Sequence, residues 1–181
     1  MTQFKPLSKD LMLERLTPPT GGPVRLLIDT DTANEIDDQY ALAWALLAPE
    51  KMTVEAVTAE PFSFAHHRTH LLAAEKAMAD GAGSDEPLVG GFRGWLDRLH
   101  AAGKRVEDLS FVSPAEGMEL SYLEIIRVYD KMGMKCDGKV FRGADRYMST
   151  PDEPVKSAAV ETIIDLAKSG DGPLYIAAMG C

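Results

Sequence analysis

The sequence predicts an α/β fold: a doubly wound, mostly parallel sheet with helices on both faces. Two observations carry that expectation. Short apolar runs of strand character, at 24–29, 52–58 and 174–178, alternate with longer segments of helical periodicity. Acidic residues also crowd into RLLIDTDTANEIDD directly after the first run. That is the carboxyl end of a strand, where open α/β sheets place their ligand sites.

Taken in order, residues 1–22 read as an N-terminal extension and hinge, and 23–181 as the α/β domain. Leu7, Leu11, Leu13 and Leu16 suggest a short amphipathic helix within 1–16, broken by the Pro- and Gly-rich stretch 17–23. The strand at 24–29 leads to a helix over 36–47, with Ala41, Leu42, Ala45 and Leu46 at helical spacing and Pro49 beyond its end. A second strand at 52–58 and a helix at 64–79 follow, then a third short strand at 87–90. Residues 91–114 are loop-rich with a helical segment near 95–102, and 119–132 is an amphipathic helix. A strand or extended loop is expected at 138–143, a helix at 155–168 with Thr150 or Asp152 and Pro154 as start signals, and a strand at 174–178. Sequence ends at Met179-Gly180-Cys181, directly after a strand of interior character. The expectation is therefore a domain truncated at its C-terminus.

Composition narrows the function classes. A chain of 181 residues, 45% hydrophobic and 26% charged, suits one globular domain with a sizeable core. Its net charge of −9 argues against nucleic acid or an anionic membrane as partner. Cys136 and Cys181 form no CxxC pair or disulfide framework, which suits a reducing compartment. No secretory leader is legible, and no stretch approaches the roughly 20 apolar residues that span a bilayer. A cytoplasmic protein is expected.

Asp29, Asp31, Asp37 and Asp38 lie within ten residues. Like charges that close disfavour joint ionisation, so the cluster implies a hard divalent cation with oxygen ligands, Ca²⁺ or Mg²⁺. Helix-dipole stabilisation accounts for Asp37 or Asp38 without a metal, but not for all four. An EF-hand loop is excluded: counting from Asp29, its sixth and twelfth positions hold Asn34 and Tyr40 instead of Gly and Glu. Asp29-Thr30-Asp31-Thr32 also resembles the DxDx(T/V) motif of haloacid-dehalogenase phosphatases, which would make Asp29 a nucleophile and Asp31 a general acid. That family separates its motif from the next helix by a flap segment, whereas here Asp37-Asp38 follow at once.

Ile28-Asp29-Thr30-Asp31 followed by Ile36-Asp37-Asp38-Gln39-Tyr40-Ala41-Leu42-Ala43 resembles the nucleoside hydrolases, the inosine–uridine-preferring N-ribohydrolases. Residues 54–58, 87–91, 158–164 and 172–180 resemble later segments of that family in order, spanning about the first half of its fold. Five residues, Thr32 to Ile36, separate Asp31 from the Asp pair where the common family loop has three. Where many members place a ribose-holding Asn after the second strand, this chain has Ser63, within Glu60-Pro61-Phe62-Ser63.

The resemblance implies Ca²⁺-dependent hydrolysis of the N-glycosidic bond of ribonucleosides; a catalytically inactive fragment that binds metal or ribose is the alternative beside the phosphatase. Asp31 would serve as metal ligand and general base, Asp38 as a second ligand, and the backbone carbonyl of Met179 as a third. Asp37 would accept hydrogen bonds from ribose hydroxyls, Asn34 would add a ribose contact, and Asp29 would orient the site. The family's remaining metal and leaving-group residues fall beyond Cys181, so the 181 residues alone are expected to be inactive. A homo-oligomer is expected, with a small-molecule ribonucleoside as substrate.

Other residues receive plainer readings. His66, His67 and His70 lack an HExxH motif or a third ligand and read as a packed or solvated helix face, and His100 as surface. Cys136 and Cys181 read as unreactive, since neither has a nearby His or Lys that would clearly lower its pKa. Met118, Met132 and Met134, with Leu120, Leu123 and Ile126, are expected in the core, as is Trp44. Trp95 is a candidate for a site mouth.

Overall fold

A computed structural model describes residues 6–170 and 172–180. The chain divides into two compact units, one of residues 1–62 and 114–181, the other of residues 63–113. Among the described residues of the first unit, four strands form an all-parallel sheet: β1 (Val24–Thr30), β2 (Met52–Ala59), β3 (Val140–Arg142) and β4 (Leu174–Ala178), in the order β3-β2-β1-β4. The α/β class read from the sequence is the observed one.

Parallel pairing requires crossovers, and near-universal right-handedness sends them to opposite faces when the strand order reverses. Helix α2 (Ile36–Leu47) links β1 to β2, and α5 (Pro114–Lys131) precedes β3. Leu42 and Ala45 of α2 and Ile125 and Tyr129 of α5 bury one core with Leu26, Ile28, Val54 and Val57. Side chains alternate along a strand, so Leu27 and Asp29 point to the other face, where α6 (Ala158–Lys168) returns the chain to β4. Val54 and Val57 lie three apart and would face opposite ways in a regular strand. The register slips between Leu26 and Leu27, leaving Glu55 as the extra residue, so both valines reach the same core. Arg25 then meets Glu55 with two hydrogen bonds of 2.7 and 2.9 Å and donates to the Leu166 carbonyl of α6.

The second unit packs α3 (Arg68–Ala79) on α4 (Pro87–Ala101). Leu71 and Ala74 bury against Leu96, Leu99 and Val106. Glu75 is buried among them and is met by His100 Nε2 at 2.7 Å, the Val106 N–H at 3.3 Å and Arg105 at 3.5 Å. Burial opposes its charge, but His100, the Val106 amide and Arg105 together outweigh that and hold its pKa below the usual value.

Several expectations are corrected. Residues 87–90 are not a strand but the first turn of α4, with Pro87 at its start. Three glycines had masked the spacing of Val89, Phe92, Leu96 and Leu99, which turns one face inward. Helix α6 starts at Ala158, capped by Ser157, which accepts from the Val160 N–H, so 155–157 lie outside it. Helix α1 (Lys9–Leu16) buries none of its residues, and residues 1–5 of the segment expected to be helical lie outside the described residues. Trp44, Leu120, Leu123 and Met134 are exposed instead of core, while Met118 is buried. Here the helical spacing was read correctly, but the choice of face was not. Among the described residues no helix is long and apolar enough to cross a membrane.

Candidate functional site

The carboxyl end of β1 lies between β2 and β4, where the strand order reverses and a crevice forms in sheets of this kind. Backbone bonds draw the three strand ends together: the Glu60 N–H donates to Thr30 O and the Met179 N–H to Asp29 O, each at 2.8 Å. Two glycines allow the approach. A side chain at Gly143 would strike the Ala59 carbonyl, and one at Gly180 would strike the Glu60 carboxylate.

Four carboxylates share this end of the sheet as two hydrogen-bonded pairs, Asp31 with Asp38 and Asp29 with Glu60. Asp31 and Asp38 are 2% and 6% exposed, so water does little to screen their charge. Burial, the hydrogen bond from Asp38 to Asp31 and the charge of Asp31 push the Asp38 carboxyl up to about 7, against a smaller opposing bond from Thr30. Burial and then Asp29, with Asp31 and Asp38 farther off, push Glu60 up to about 8. Asp38 and Glu60 thus keep their protons to higher pH than isolated carboxylic acids do. Asp29 also accepts from the Thr58 hydroxyl, and the Thr30 and Thr32 hydroxyls meet at 3.0 Å.

The other sequence candidates take distinct places. Asn34 turns back on Asp31, its N–H on the Asp31 carbonyl at 2.7 Å and its Nδ2 on Asp31 Oδ2 at 3.1 Å. It thus holds the carboxylate that the resemblance makes the base. Asp37 is exposed in the first turn of α2, favoured by the helix dipole. Met179 reaches the cluster through its backbone, while its side chain packs on the core. Glu60 was not singled out from the sequence. Its signal was present, as the first polar residue after the apolar run of β2, but only strand pairing brings it to Asp29. Beside Asp29 and Glu60 on the α6 face is a cavity of about 310 Å³, lined also by Ala144, Val160 and Ile163.

Among the described residues no group of three or more His, Cys, Asp or Glu is arranged to hold a metal ion. In the second unit, His66, His67 and His70 join an aromatic cluster with Phe64, Phe92 and Trp95. Burial, then His66 and His70, hold the His67 pKa below its usual value. No family model, curated protein or solved structure matches the chain. What the site can do rests on its own geometry and on the resemblance in its aspartate motif.

Proposed function

We propose that the cluster is the calcium- and ribose-binding part of a ribonucleoside N-glycosyl hydrolase. The observation that carries this reading is the buried pair Asp31–Asp38, in which burial and the neighbouring Asp31 push the Asp38 carboxyl up to about 7, so that it keeps a proton an isolated carboxylic acid would release. A hard dication is the natural replacement for that proton. The donors fit in kind, being all oxygen, with Asp31 and Asp38 as carboxylate ligands and the Met179 carbonyl as the proposed third.

Hydrolysis of an N-glycosidic bond needs an activated water, a grip on the ribose and help for the departing base. A bound calcium ion supplies a lowered water pKa and charge compensation. Asp31, fixed by Asn34, accepts the proton that the attacking water loses. Asp37, open to solvent, accepts hydrogen bonds from the ribose hydroxyls. Asp29 and Glu60, tied to each other and to Thr58, orient the cluster from behind. A phosphatase reading draws less support, because its nucleophile would be Asp29, which already bonds Thr58 and Glu60. The cysteine content favours a reducing, cytoplasmic setting.

Binding tests the reading directly. Calorimetry should show Ca²⁺ uptake that Asp31→Ala and Asp38→Asn abolish. Inosine or uridine should bind only with Ca²⁺ present, and more weakly in Asp37→Ala. Unchanged Ca²⁺ affinity in Asp31→Ala would reject the assignment.

A further inference from the structure

Helix α2 carries no charged residue from Gln39 to Leu47, the stretch QYALAWALL. A helix apolar all round is one that is buried all round. Yet Leu42 and Ala45 face the core, while Ile36, Tyr40, Trp44 and Leu47 are 68%, 70%, 73% and 68% exposed. These four recur at helical spacing and form one stripe along the side away from the sheet. Helix α5 meets α2 through the hydrogen bond from Gln39 to Glu124 and adds exposed Leu120 and Leu123. Between the two helices runs a groove of about 390 Å³, floored by Tyr40, Ala43, Val128 and Met132 and rimmed by Arg127 and Lys131.

We propose that this face is a two-fold interface with a second copy of the chain, α2 packing antiparallel on α2. Extent is the first argument. With side chains of this size, the six exposed residues present on the order of 800 Å², the share per partner of a standard stable interface. Solvated monomers rarely leave so large a contiguous apolar patch uncovered.

The order of residues is the second argument, and it selects a second copy over an unrelated partner. Read from either end, the stripe runs aliphatic, aromatic, aromatic, aliphatic. A two-fold axis level with Ala41 and Leu42 sets Ile36 opposite the partner's Leu47 and Tyr40 opposite the partner's Trp44. Self-complementarity of this kind is what an isologous contact demands. The same axis brings the partner's Trp44 to the groove beside Tyr40 and Ala43. Any charge near such an axis would meet its own copy, and the stripe has none. Antiparallel helices also set their macrodipoles in opposition, which is the favourable arrangement. This inference does not depend on the proposed catalytic role.

Sedimentation velocity on the 181-residue chain at low to high micromolar concentration tests it. The expected result is a two-copy mass that Trp44→Glu halves with unchanged far-UV circular dichroism. Ile164→Glu, on the exposed side of α6, should leave the mass at two copies. Should Trp44→Glu perturb folding, Ala43→Cys in a Cys136→Ser, Cys181→Ser background gives a second route. Its thiols lie close to the axis and should form an intermolecular disulfide under mild oxidation, whereas Ala158→Cys should not. A single-copy mass for the wild type at every concentration, a folded Trp44→Glu that stays two-copy, or a two-copy Ala43→Cys that does not cross-link would each overturn the proposal.

Discussion

The Glu60 carboxyl, one residue beyond β2, meets Asp29 near the end of β1, and burial together with Asp29 pushes its pKa up to about 8. A second such pair, Asp31 with Asp38, lies beside it. The cluster is thus tuned to take up positive charge, and most of the chemistry expected of this chain follows from that.

Stability of the metal-free protein should fall as pH rises. Asp38 is raised from 3.8 to about 7 and Glu60 from 4.5 to about 8, so the folded state keeps protons that the unfolded state releases. Their stabilisation is complete below the unfolded values, near pH 4, and is lost as pH climbs through 7 and 8. A tenfold difference in proton affinity amounts to about 1.4 kcal/mol, so the effect should be readily measured. With a chelator present, Tm should decline steadily from pH 5 to pH 9, and Asp38→Asn or Glu60→Gln should flatten the slope. A Tm that rises across that window would contradict the assignment.

Calcium binding should expel a proton. Because the Asp31–Asp38 pair holds one near neutrality, Ca²⁺ uptake at pH 6 should release about one proton per site, less at pH 9. Calorimetry in buffers of different ionisation enthalpy reads this number directly. No dependence on buffer at pH 6 would place the ion elsewhere.

Gly143→Ala should disturb the strand ends that carry the site. Its new Cβ would run into the Ala59 carbonyl, and backbone cannot step aside as a flexible side chain can. A cost of about 1–3 kcal/mol is expected, typical of overpacking. Gly21→Ala, where nothing lies near, should leave Tm unchanged. Equal Tm for the two variants would show that β3 gives way freely.

Leu27→Ala should be among the most damaging core changes. Leu27 is wholly buried in a strand paired on both sides, so the vacated space has little room to collapse. Denaturant titration should show a loss of about 2–5 kcal/mol. A loss below 1 kcal/mol would mean that α6 closes over the gap.

In the second unit, Glu75→Ala should cost about 1–3 kcal/mol, since it strips partners from the Val106 amide, His100 and Arg105. The depressed pKa of Glu75 sets the sign of the pH effect: its contribution is present above the unfolded value and is lost as pH falls through the folded one. The destabilisation measured for the variant should therefore shrink in acid. A penalty that grows on acidification would contradict this account.

The fold class, three of the four strands, α2 and the acidic cluster at the end of β1 were legible in the sequence, because each is written in local periodicity or in one short motif. Residues 87–90 misled because a short apolar run containing glycines looks alike in strand and helix, and only packing on α3 separates the two. Trp44, Leu120 and Leu123 misled because an amphipathic pattern shows which residues share a face but not what covers it. Glu60 was invisible as a site residue, since its meeting with Asp29 depends on which strands pair and in what register. Sequence by itself determined that acids gather at a strand end, a matter of neighbours along the chain. Tertiary structure alone decided which acids share protons and which apolar face meets water, because both depend on distances between residues far apart in sequence.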